Sequence, residues 1–115
     1  TEMCDLYHHS IALVMATYFG PTNMPPLEAF ELGVPVLYPD KSGLREQVGN
    51  AALLIDLKNP KSMADNLWQL LENPGLRHKL VSAGRERIFQ LNSINRIEAL
   101  RSVVSDFQWR RFCWK

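Results

Sequence analysis

The sequence predicts an α/β fold, a Rossmann-like half-domain whose short parallel sheet of about three strands is flanked by helices and followed by a helical C-terminal tail. Three observations carry this prediction. Apolar runs of strand length occur at 11–16 (IALVMA), 34–38 (VPVLY) and 51–56 (AALLID). Segments with helix start and stop signals separate them, so the strands alternate with helices and their connections are expected to be right-handed. The chain has 115 residues, 46% hydrophobic and 22% charged, enough for one core but small for a complete two-substrate enzyme.

In order, Glu2 to His9 reads as a short helix or helix end. Ile11 to Ala16 is an unbroken apolar run, the pattern of a strand buried on both faces. The loop from Thr17 to Asn23 carries Gly20, Pro21 and Asn23, residues used where backbone geometry is special. Pro25 and Pro26 open a helix, because a proline in the first turn removes only donors that lack an intrahelical partner. Leu27, Ala29 and Phe30 supply its apolar face and Gly33 closes it. Val34 to Tyr38 is a second strand, followed by a turn at Pro39 to Gly43, one or two helical turns over Leu44 to Val48, and a third strand over Ala51 to Asp56.

The remainder is helical. Met63, Leu67, Leu70 and Leu71 stand at helical spacing behind an Asn59 cap and Pro60. A second long helix runs from about Pro74 or Leu76 to Phe89, and a third from about Ser93 to Phe107. An α/β domain ordinarily starts on a strand, whereas Thr1 falls within a helix leading into a sheet, which predicts a piece of a longer protein. The expected division is 1–92 for the Rossmann-like part and 93–115 for a C-terminal helix and basic aromatic tail.

The formal net charge of +1 conceals an asymmetry. Residues 1–72 hold four Lys/Arg against nine Asp/Glu, and residues 73–115 hold nine against three. A basic tail suits an acidic surface, another domain or an anionic membrane, and equally a solvated helical face. Cys4 and Cys113, at opposite ends, have neither zinc spacing nor a disulfide framework, which points to a reducing cytoplasm. No apolar run approaches a membrane span and no leader precedes the first helix, although interfacial association stays open.

In open parallel sheets, ligands bind at the carboxyl ends of strands, where a loop meets a helix N-terminus. Residues Thr17 to Glu28 occupy that place. The helix start attracts phosphate, and with Pro25 and Pro26 lacking N–H the donors are Asn23, Met24, Leu27 and the preceding glycine, Gly20. Glu28 would repel phosphate, so its useful role is to accept hydrogen bonds from hydroxyls, as in ribose recognition. The competing reading is a carboxylate that stabilises its own helix N-terminus by about 0.3–1 kcal/mol.

The segment MPPLEAFELGVPVLYPDKSGLREQVGNAALLIDLKNPKSMADNLWQLLENP resembles the C-terminal half of a family-4 glycosyltransferase of the GT-B fold. The order of a P-x-x-E-A helix, a G-x-P-V strand, a G-L-x-E-x-V turn and an M-A-x-x-L-x-x-L-L helix carries the resemblance over roughly Asp5 to Ile88. It implies the donor-binding portion of a retaining, hexosyltransferase-type enzyme that uses a UDP-, GDP- or ADP-linked sugar and no metal. The acceptor would be a glycan or lipid-linked saccharide. The family marks its donor site with two glutamates separated by seven residues. Glu28 matches the second, the ribose-binding one. Gly20 stands where the first, sugar-binding one is expected, in FGPTNMPPLE against the common EGFGLPPLE. Asn23 and Thr22 are the nearest polar replacements, with the amides of Asn23 and Met24 as contacts for sugar or diphosphate. Glu46 matches the turn glutamate and reads chiefly as a cap or loop anchor.

The family's catalytic Arg and Lys lie upstream of Thr1, so this chain alone is expected to lack transferase activity. The alternatives are a non-catalytic interaction domain on the same scaffold and a GT-B-fold nucleotide-sugar epimerase. His8 and His9 beside Cys4 point to different helix faces and make a poor metal site. Neither they nor Ser10 have a triad partner. Phe107, Trp109, Phe112 and Trp114, among Arg110, Arg111 and Lys115, suggest base stacking less well than a helix crossing onto the N-terminal domain, or a membrane-surface contact. No nucleic-acid partner is expected.

Overall fold

A computed structural model describes residues 2–20 and 23–113. The elements are α1 (Glu2–His9), β1 (Leu13–Val14), α2 (Pro25–Glu31), β2 (Val36–Pro39), α3 (Arg45–Val48), β3 (Ala52–Ile55), α4 (Pro60–Glu72), α5 (Pro74–Ser93) and α6 (Arg96–Cys113). The three strands form a parallel sheet in the order β1-β2-β3, with Leu13 opposite Val36 and Val36 opposite Ala52. The predicted fold class is therefore the observed one.

Side-chain alternation along β2 divides the core into two layers. Val36 and Tyr38 face one way and join Tyr7, Ala29, Phe30, Val34, Leu44, Val48, Ala51 and Ala52. Leu37 faces the other way and joins Ile55, Leu70 and Leu80. Helices thus cover both faces of β2, as a parallel strand requires. Val36, Leu37 and Tyr38 are all fully buried.

The expectation that residues 11–16 form a strand buried on both faces needs correction. Only Leu13 and Val14 pair, and Ile11 and Val14 are 49% and 39% exposed. Among the described residues β1 has a neighbour on one side only, so its outer flank lacks the cover that β2 receives.

Asn59 caps α4 as the sequence predicts, by accepting from Lys61 N at 3.1 Å, and the fold adds a cap absent from the sequence reading, Asn73, which accepts from Leu76 N at 3.0 Å at the start of α5; each is followed by Pro at the first helical position. Gly33, at φ +72°, ends α2 in the left-handed region that a side chain would resist. The last two helices run further than their patterns predict, past Phe89 to Ser93 and past Phe107 to Cys113.

Helix α5 ties the layers together. It packs on α2 and α4, and Gly84 lets its backbone approach Phe30: a Cβ there would sit 2.8 Å from Phe30 Cδ1. Helix α6 is different. It is exposed along residues 96–112, and Ile97, Leu100, Val104 and Phe107 form a solvent-facing apolar stripe at helical spacing. No helix among the described residues is long and apolar enough to cross a membrane.

Candidate functional site

The loop after β1 and the start of α2 meet at the carboxyl end of the sheet. Leu27 N and Glu28 N both donate to Met24 O, at 2.9 and 3.0 Å. The Leu27 amide is thereby engaged in the first turn, which leaves Gly20, Asn23 and Met24 as the amides to consider for a ligand. Thr22, with Pro21, lies outside the described residues, as do Thr1, Trp114 and Lys115.

Glu28 is exposed in the first turn of α2, and its Oε2 accepts a hydrogen bond from Tyr7 Oη at 3.3 Å. Tyr7 is buried, so α1 holds the carboxylate from beneath while leaving it open to solvent. Burial, with the charge and hydrogen bond of Glu28, raises the Tyr7 phenol above its ordinary value of 10.0. The sign follows: the folded state keeps this proton longer than the unfolded chain, so the contribution is complete below pH 10 and is lost as pH rises through the raised value. Thermal unfolding followed from pH 8 to 11 is expected to show a fall above pH 10 that Tyr7→Phe reduces. Nothing in the local sequence pairs Tyr7 with Glu28; the contact exists only in the fold.

A closed polar ring fixes the loop. Asn23 Nδ2 donates to Tyr38 Oη at 2.5 Å, Tyr38 Oη donates to Gln47 Oε1 at 3.0 Å, and Gln47 Nε2 donates to Asn23 O at 2.5 Å. Arg87, from α5, donates to the carbonyls of Gln47 and Glu46 at 3.0 and 2.6 Å and secures α3 beneath the ring. Glu46 anchors its own turn by accepting from Gly43 N at 2.5 Å. One amide proton of Asn23 is thus committed to the scaffold. Tyr38→Phe leaves Asn23 Nδ2 and Gln47 Oε1 without their shared partner and is expected to destabilise by about 1–3 kcal/mol in urea unfolding.

The same ring explains position 20. A Cβ on Gly20 would fall 2.6 Å from both Asn23 Cγ and Nδ2, and closer still to Oδ1. The Asn23 amide occupies the space into which a residue at 20 would project, so a glutamate there would have to displace that amide from its bond to Tyr38. Beside it, Tyr18, Phe19, Gly20, Lys41, Ser42, Gly43 and Leu44 line an open cleft of about 320 Å³. Lys41 Nζ donates to Tyr18 O at 3.2 Å and lies 5.3 Å from the centre of the Tyr18 ring. Sequence reading missed Tyr7, Tyr18 and Lys41. Elsewhere, His9 Nδ1 sits 2.7 Å from Asp5 O within its own helix.

An open parallel sheet flanked by helices, with a loop and a helix start at its carboxyl end, is a Rossmann-like arrangement in which ligands ordinarily bind at that end. The family described as "Glycosyl transferases group 1" matches residues 1–87, and the chain belongs to that family. It is also 32% identical over 83 residues to a "D-inositol 3-phosphate glycosyltransferase" from Streptomyces bingchenggensis (strain BCW-1), covering 70% of this chain and 18% of that protein. The chain therefore spans under a fifth of the length of that relative. No solved structure matches at a significant level.

Proposed function

We propose that this chain is the donor-binding portion of a retaining glycosyltransferase that moves a sugar from a UDP-, GDP- or ADP-linked donor to a glycan or lipid-linked saccharide. The observation that carries this reading is the Glu28 carboxylate, exposed at the carboxyl end of β1 and oriented by Tyr7. From there it accepts the ribose hydroxyls, while the amides of Asn23 and Met24 face the diphosphate or sugar. Chemistry of this kind rests on electrostatic help to a departing nucleotide diphosphate and on an acceptor positioned by another part of the enzyme. On this reading the 115 residues alone are expected to show no transferase activity, and sugar transfer by them would overturn it.

The exposed apolar stripe of α6 fits a helix that packs on the N-terminal domain, with an anionic membrane surface as its second possible contact through Arg110 and Arg111. The protein acts in the cytoplasm without a metal. Titration of the full-length protein with UDP, GDP and ADP tests the reading: one nucleotide binds, and Glu28→Ala weakens it. Failure of all three to bind favours a non-catalytic interaction domain, a reading to which Gly20 in place of the first motif glutamate gives support. Product analysis separates transfer from epimerisation.

A further inference from the structure

The cleft between the loops after β1 and β2 has an unusual charge for a sugar site. Its wall at Gly20 carries no side chain, and the group that fills that space, the Asn23 amide, is neutral. Lys41 stands on the opposite loop with one of its three protons given to Tyr18 O, and its ammonium is exposed. The neighbouring carboxylates are engaged elsewhere: Asp40 pairs with Arg45 at 3.2 Å, and Glu46 turns to the Gly43 amide. Tyr18 and Phe19, 63% and 84% exposed, add flat apolar surface beside the cation. An apolar face next to one fixed charge suits a saccharide ring bearing an anion.

We infer that this cleft is a subsite for an anionic saccharide, carrying a carboxylate or a phosphate that Lys41 receives, and not for a neutral hexose. A glutamate at position 20 would oppose such a group, so Gly20 and Lys41, both on the cleft wall, act together in selecting it. The inference rests on the donor-site reading above. The anion belongs either to the donor sugar or to the acceptor, and the experiment separates them.

Calorimetry on the full-length protein would compare UDP-glucose with UDP-glucuronate and GDP-mannose with GDP-mannuronate. In parallel, with nucleotide bound, it would compare inositol with inositol 3-phosphate. The uronate or the phosphorylated acceptor is expected to bind roughly tenfold tighter than its neutral counterpart, as a charge-assisted contact gives. Lys41→Met removes that preference and Lys41→Arg retains it, each preference being the ratio of charged to neutral ligand within one variant, so that any change in affinity for the shared nucleoside diphosphate cancels. Preference in the first comparison assigns the anion to the donor, and in the second to the acceptor. Equal binding within all pairs, or a preference that survives Lys41→Met, overturns the inference while nucleotide binding sensitive to Glu28 leaves the donor site standing. Loss of all nucleotide binding overturns both. Lys41 is exposed, so its variants are expected to fold, and unchanged thermal unfolding verifies it.

Discussion

Glu28→Gln in the full-length protein is expected to weaken binding of the preferred nucleotide by roughly 10- to 100-fold, the effect of losing charge-assisted hydrogen bonds to ribose hydroxyls. Glutamine keeps one acceptor oxygen but loses the charge and places an NH2 group against hydroxyl donors. Tyr7→Phe removes only the 3.3 Å bond that orients the carboxylate, so its effect on affinity is a fraction of this. Glu31, exposed on the next turn of α2, is the control whose conversion to Gln leaves binding unchanged. The competing role for Glu28, stabilising its own helix start, predicts a different pattern: a stability loss of about 0.3–1 kcal/mol with nucleotide affinity intact. Calorimetric titration and thermal unfolding of the same variants therefore decide between the roles.

How far the sequence announces this site depends on how local each cause is. Glu28 is legible because its neighbours define its place: an apolar run, a Gly/Pro loop and two prolines at a helix start lie within a few residues of one another. The cap at Asn59 is legible for the same reason, since its bond reaches only two residues onward. The Asn23–Tyr38–Gln47 ring joins residues from three separate segments, and Arg87 reaches back from α5. No pattern in any one segment encodes those partners. Tyr38 reads as one more apolar strand residue until the fold places its hydroxyl beneath the loop. Gly20 is the sharpest case, because sequence reading sees a missing carboxylate and cannot see that Asn23 fills the space. The overestimate at residues 11–16 has a related origin: an apolar run records chemistry suited to cover, not the number of strands and helices beside it.

The largest stability change is expected at Phe30, which links the scaffold to the site. Phe30 is 2% exposed, lies on the buried face of α2, and packs over Gly84 of α5. Phe30→Ala is expected to destabilise by about 3–5 kcal/mol through lost burial and an unfilled cavity, read as a lowered urea midpoint. Gly84→Ala tests the same contact from the other side. Replacing glycine within a helix would add about 1 kcal/mol of helix stability, yet the new Cβ would meet the base of a buried ring that has little room to move. Overpacking of this kind costs about 1–3 kcal/mol, so Gly84→Ala is expected to be neutral to destabilising by about 2 kcal/mol. Combined with Phe30→Ala the Gly84→Ala cost should largely disappear, because truncation at Cβ removes the Cγ and Cδ1 that the new methyl group meets. A Gly84→Ala protein stabilised by the full helical increment would show that α2 and α5 are not in close contact. Since Glu28 lies two residues before Phe30 on the same short helix, weakening that packing is also expected to reduce nucleotide affinity, although Phe30 and Gly84 are both buried.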